Sequence, residues 1–182
     1  MRIRPIAICL GVSMTPGFAL TAHADAGYNV TVLQDPGGLG DSGPFFRAIN
    51  DAGQSVGFSA TASCCEAVLW SRTGKATVLQ DVGGGGNSSA SALNNAGWSI
   101  GTSGPPGALE AVLWSPTGKG RALQIPTGLS DSQGVAINNH GWSVGTAMTR
   151  IGGEAALLWS PSGKATVLRN AGGFLDSCGR HQ

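Results

Sequence analysis

The sequence predicts an all-β chain, a β-propeller-like repeat of three four-stranded blades of about 44 residues each. Three observations predict it. The block Ala48-Ile49-Asn50-Asp51-Ala52-Gly53-Gln54-Ser55-Val56-Gly57 returns at residues 92–101 and again at 136–145, both times at an offset of 44. A second block, residues 66–75, returns at 110–119 and, with one extra residue, at 154–164. A third closes each unit: Ala76-Thr77-Val78-Leu79-Gln80, then Arg121-Ala122-Leu123-Gln124, then Ala165-Thr166-Val167-Leu168. Self-similarity at a fixed period of this size marks a stacked-repeat architecture. No window shows the 3.6-residue period of a helix.

The chain opens with Met1-Arg2-Ile3-Arg4, a mostly apolar stretch over residues 6–20, and Thr21-Ala22-His23-Ala24. A basic start, an apolar middle and a small-x-small site make a secretory signal peptide, residues 1–24, with cleavage after Ala24 preferred and Ala26 the alternative. Ser13, Thr15, Pro16 and Gly17 break the apolar run short of the ~20 residues a membrane span needs. Cys9 follows Ile8, where a lipid-attachment site wants a small residue. The expected product is exported, extracellular or periplasmic, with no membrane span in the mature chain. It reads as a single repeat domain over 25–182: an N-terminal strand and loop (28–47), repeats at 48–91, 92–135 and 136–179, and a tail (180–182).

Within a unit, apolar residues alternate or run briefly between turn residues, which reads as four short strands. In the second unit these fall near 91–94, 98–103, 111–115 and 121–125. Asn94-Asn95-Ala96-Gly97 places Asn first and Gly fourth, the type I preference, and Ser115-Pro116-Thr117-Gly118 adds Pro where its fixed φ is wanted. The third strand, Ala111-Val112-Leu113-Trp114, is apolar at successive positions, as a strand covered on both faces should be. Stacked neighbours supply that cover.

At the ends the pattern is partial. Residues 28–34 resemble a fourth strand without the three before it. Gly173-Phe174-Leu175-Asp176-Ser177-Cys178-Gly179 matches Gly128-Leu129-Ser130-Asp131-Ser132-Gln133-Gly134 at an offset of 45, the start of a further unit. Propellers close with about 4 to 8 blades, so three blades should leave an open structure with exposed apolar faces. Self-association, an open wedge with poorly packed ends, and a shortened gene product are the three outcomes this allows.

The units resemble the HAF-family extracellular repeat of bacterial secreted proteins, with its A-I-N-x-x-G-x-x-V-G block, a Leu-Trp block and a G-G doublet. The doublets here are Gly37-Gly38, Gly83-Gly84 and Gly172-Gly173. The resemblance covers about residues 30–179. It departs at the His-Ala-Phe that names the family, which is Glu-Ala-Val at 66–68 and 110–112 and Glu-Ala-Ala at 154–156. The resemblance implies a propeller-like fold and export, and implies no defined activity.

Without Arg2 and Arg4 the mature chain keeps 9 of the 11 basic residues against 10 acidic ones. That balance offers none of the basic stripe nucleic acid requires. Apolar residues at 41 % can bury a core, against disorder. Cys64, Cys65 and Cys178 remain after cleavage. Cys64 or Cys65 could pair with Cys178, leaving a spare thiol, and free thiols are the other reading. No CxxC spacing points to zinc. His140 holds a turn position occupied by Ala52 and Ala96 in the sister units, and His181 lies in the tail, so neither reads as a general base. Glu66, Glu110 and Glu154 recur once per unit; solvated strand edges are the plain reading, a ring of carboxylates the sharp one.

Gly83-Gly84-Gly85-Gly86 lacks the Lys-Ser/Thr of a phosphate loop and reads as a connection between units. Gly37-Gly38-Leu39-Gly40-Asp41 has its Asp one place early for a calcium nonapeptide. No cofactor or metal is expected. Trp98 and Trp142 follow the turn glycine, where the first unit has Gln54; they suit sugar stacking or hairpin packing. Trp70, Trp114 and Trp159 read as core, and Lys75, Lys119 and Lys164 as solvated charges. The expected function is a secreted, non-enzymatic repeat protein, a binding or surface-interaction module of unknown ligand. Two alternatives stand beside it: a secreted propeller-type enzyme acting on glycans, and a truncated product with little independent function.

Overall fold

The computed structural model describes residues 29–168, so the leader at 1–24, the 173–179 segment and Cys178 lie outside the described residues. The described chain forms twelve strands: β1 (Ser42–Ile49), β2 (Ser55–Ala60), β3 (Cys65–Trp70), β4 (Ala76–Val78), β5 (Ser88–Leu93), β6 (Ser99–Ser103), β7 (Glu110–Trp114), β8 (Gly120–Ala122), β9 (Leu129–Ile137), β10 (Ser143–Thr149), β11 (Glu154–Trp159) and β12 (Ala165–Val167). They make three four-stranded antiparallel meanders, β1 to β4, β5 to β8 and β9 to β12, with no helix among the described residues. The arrangement is propeller-like and open.

The first strands begin earlier than the repeat boundaries at 48, 92 and 136. Their opening halves, such as Ser88-Ser89-Ala90, carry little apolar alternation, so the hydrophobic pattern starts late. Irregular register marks the first strand of every sheet, between Pro44 and Ile49, Ala90 and Ala92, and opposite Val144 and Gly145. The extra residue of such a bulge bends the strand and sharpens its twist.

Stacking explains the apolar third strands. The first strand of each following sheet crosses the sheet before it: β5 packs on β1, β2 and β3, and β9 on β5, β6 and β7. Val112 and Trp114 of β7 join the core shared with the first sheet, while Ala111 and Leu113 join the core shared with the third. Both faces of the strand are therefore dry.

Polar contacts repeat at the same joints. Asn50 Oδ1 accepts from the amides of Ala52 (3.1 Å) and Gln54 (3.0 Å), closing its own turn. Its Nδ2 donates to the Asn94 carbonyl of the next sheet (3.1 Å), and Asn94 Nδ2 donates to the Asn138 carbonyl (3.0 Å). One side chain thus shapes a hairpin and rivets it to its neighbour. The Ser88 and Ser132 hydroxyls accept from the Ala67 and Ala111 amides of the preceding sheet, both at 2.9 Å. Each core tryptophan donates its indole N–H to a glutamine carbonyl: Trp70 to Gln34 (2.7 Å), Trp114 to Gln80 (2.8 Å) and Trp159 to Gln124 (2.6 Å). Gln34 belongs to the N-terminal segment, which therefore packs on the first sheet as the end of a fourth strand would.

The third sheet keeps one face uncovered among the described residues. Val144 is 37 % exposed where Val56 and Ile100 are fully buried, and Leu168 is 42 % exposed where Leu79 and Leu123 are buried. Ala156 is exposed and Leu158 half-buried at the positions of Ala111 and Leu113.

An Asp–Ser latch pins the glycine-rich loops. Ser59 Oγ donates to Asp35 Oδ1 (2.5 Å) while the Gly40 amide donates to Asp35 Oδ2 (2.8 Å); Ser103 and the Gly86 amide hold Asp81 in the same way (2.6 and 3.1 Å). At the third equivalent position both partners change together, to Ile125 and Ala147. Burial raises the Asp35 pKa, but hydrogen bonds from Ser59 and from the amides of Gly40, Gly38 and Gly37 outweigh it and hold the carboxyl below its ordinary value. A depressed folded pKa contributes stability above the unfolded value of 3.8, lost as pH falls through the lower folded value. Asp35→Asn should therefore lower stability by about 1 kcal/mol at pH 7, the scale of a charged hydrogen bond near the surface. The gap between variant and parent in urea melts should close below pH 3.8; a gap independent of pH would reject the latch.

Candidate functional site

The hairpin turns of neighbouring sheets sit side by side because the asparagine rivets hold them there. Between the second and third sheets this leaves a groove of about 300 Å³. Asn94, Ala96, Trp98, Leu113 and Arg121 form one wall; Ile137, Asn139, His140, Gly141 and Pro161 form the other. Leu113 is buried, whereas Trp98 is 38 % exposed and Arg121 and His140 are exposed.

Each side chain is placed by a local cause. Trp98 follows Gly97, whose φ of 80° ends the turn, and its own amide donates to Asn94 Oδ1 (3.0 Å). Arg121 pairs across the sheet with Leu113 and reaches the third sheet, donating from Nη1 to the Ser162 carbonyl (2.8 Å) and from Nη2 to the Pro161 carbonyl (2.7 Å). A guanidinium has five donors, so three remain beyond these two bonds. Asn139 Oδ1 accepts from the Asn95 amide (2.9 Å). His140 tops the turn of the third sheet, its amide on Asn138 Oδ1 (2.9 Å).

Two of these residues depart from both sister units, and Trp98, which the third unit repeats as Trp142, departs from the first alone. Trp98 stands where the first unit has Gln54, Arg121 where the others have Thr77 and Thr166, and His140 where they have Ala52 and Ala96. Far apart in sequence, they line one groove. In the first unit Gln54 instead accepts from Asn50 Nδ2 at 2.9 Å. Sequence motifs point to Trp98 and Trp142 and not to Arg121, and His140 reads there as a plain turn residue. The differences between units at the Thr77 and Ala52 positions carry the signal for Arg121 and His140.

The other expected residues fall elsewhere. Trp142 is 43 % exposed and does not line this groove. Glu66 and Glu110 pair with Ser59 and Ser103, but the extra residue in the third unit shifts Glu154 to pair with Met148, so the three carboxylates do not share one register. Trp70, Trp114 and Trp159 are fully buried. Cys64 and Cys65 carry free thiols, with sulfurs 3.4 Å apart and both facing Asn87 Oδ1 at 3.5 and 3.2 Å. Burial first, then the hydrogen bond and charge of Cys64, push the Cys65 thiol up to about 11, so it stays protonated near neutrality. Pairing of either with Cys178 falls outside the described residues. Among the described residues no three His, Cys, Asp or Glu side chains cluster to hold a metal, and no helix is long and apolar enough to cross a membrane. Compared with known protein families, with curated proteins and with solved structures, the chain matches none.

Proposed function

We propose that this chain is an exported, non-enzymatic binding module of the HAF extracellular repeat type, with the groove between its second and third sheets as the binding surface. One observation carries the reading: Arg121 and His140, which break the repeat, line the same groove as the half-exposed Trp98. Repeat positions that only maintain packing have no reason to diverge together at one joint. The leader-like residues 1–24 support export, and the Ala-Ile-Asn and Leu-Trp blocks support the family. A panel of soluble saccharides and peptides titrated into residues 25–182, read by calorimetry and tryptophan fluorescence, tests it. Binding lost on Trp98→Gln, which restores the first unit's residue and so preserves the fold, is the expected result. Binding indifferent to that change, or absent throughout the panel, would reject the groove.

A second reading, self-association, rests on the face of the third sheet that no described residue covers. A second copy presents a suitable cover: Ser42 of its β1 pairs with Ser59 as Ser88 pairs with Ser103, and that strand type covers the faces of the first two sheets. Light scattering across a dilution series should give a dimer that Leu158→Lys returns to monomer. A monomer at every concentration would sink this reading.

A further inference from the structure

We propose that the ligand of this groove is an acidic saccharide, a chain of uronic acid residues, held by stacking on Trp98 and by its carboxylates on Arg121 and His140; this rests on the groove being the binding surface. The lining carries two basic side chains and no acidic one. An anion entering it therefore meets no like charge, and Arg121 still has donors to give after its two carbonyl bonds. Those two bonds also fix the guanidinium across the joint, so a bound carboxylate does not have to immobilise a free side chain first.

The saccharide part of the assignment comes from Trp98. Its indole is 38 % exposed in the wall of the groove, whereas Trp70, Trp114 and Trp159 are fully buried with their N–H groups satisfied. A flat half-exposed ring suits the C–H face of a sugar, whose hydroxyls then point sideways to polar rims. The exposed Asn139 supplies such a rim. An acidic peptide would satisfy the charge but has no flat face for the indole. About 300 Å³ lies at the lower end of small-ligand sites, so the groove takes a short stretch of a longer chain. The joint between the first two sheets, with Gln54, Thr77 and Ala96 at the equivalent positions, has neither the ring nor the guanidinium and imidazole.

The test uses residues 25–182 with three probes: tetragalacturonate, its methyl ester, and a tetra-aspartate peptide. Tetragalacturonate should bind, weakening with added salt, and the ester and peptide should bind at least tenfold more weakly. Trp98→Gln and Arg121→Thr, each restoring a sister unit's residue, should each weaken binding at least tenfold, and His140→Ala severalfold. Trp142→Gln, outside the groove, should leave affinity unchanged. Equal binding of the ester, still lost on Trp98→Gln, would overturn the acidic assignment while sparing the groove. Equal binding of the peptide would overturn the saccharide. Tetragalacturonate binding untouched by Trp98→Gln and Arg121→Thr, or no binding by any probe, would overturn the proposal, and the first result would overturn the groove with it.

Discussion

Replacing Gly101 by alanine should destabilise the chain by about 3 kcal/mol or more, one of the two largest effects expected of any single substitution here. Gly101 lies on β6 opposite Ala90, beside the bulge of β5. A Cβ built on it overlaps the Ser89 carbonyl oxygen and comes within 2.8 Å of the Ala90 Cα, both main-chain atoms. No rotamer change relieves a clash with main chain, so β5 would have to move off β6. Since β5 also covers the first sheet, the displacement would open the core between the two sheets. Gly57 and Gly145 meet the Gly43 and Gln133 carbonyls in the same way, so the requirement recurs in each unit. The check is a urea melt of Gly101→Ala against Ser91→Ala, a small change in the neighbouring strand. If the two variants melt together, the close approach is not the reason for the glycine.

Trp114→Ala should cost about 3–5 kcal/mol, the range for emptying a large aromatic from a packed interior. Trp114 is fully buried in the core between the first two sheets, beside Leu69 and Leu79. Its indole N–H donates to the Gln80 carbonyl, so the ring also ties β7 to the end of the preceding unit. Trp114→Phe keeps most of the apolar volume and removes that donor, leaving a carbonyl unpaired at about 1–2 kcal/mol. The alanine variant should thus lose two to three times as much as the phenylalanine variant, measured by chemical denaturation. Equal losses would mean that the hydrogen bond, not the packing, holds the joint.

Much of this could be read from the chain itself. The 44-residue spacing, the turn chemistry of Asn94 to Gly97 and the unbroken apolar run of β7 are local features. They predict four strands per unit and a strand buried on both faces, and the sheets confirm them. Residues 28–34 read as a fourth strand; residues 29–34 form no strand, although Gln34 meets Trp70 as Gln80 meets Trp114. Strand one was misjudged at its start because Ser88 and Ser89 carry no alternating pattern; their position follows from pairing with Ser103 and Thr102.

The candidate site was legible only in part. Trp98 stood out as an exposed-type aromatic after a turn, yet Trp142, its twin in the pattern, lies outside the groove. No local rule separates them. What separates them is that Trp98 faces a following sheet and the described residues place none beyond Trp142.

By itself the sequence determined strand content, turn positions and the repeat unit, because these depend on residues within a few positions of one another. Tertiary structure alone decided what the units do to each other. It made Asn50 and Asn94 rivets as well as turn residues, set Glu154 out of register with Glu66 and Glu110, and left Val144 and Leu168 uncovered among the described residues. It also gathered Trp98, Arg121 and His140 at one joint. The physical reason is that a stacked repeat buries its faces against neighbours some 44 residues away, and a contact at that separation exists only once both sheets have formed.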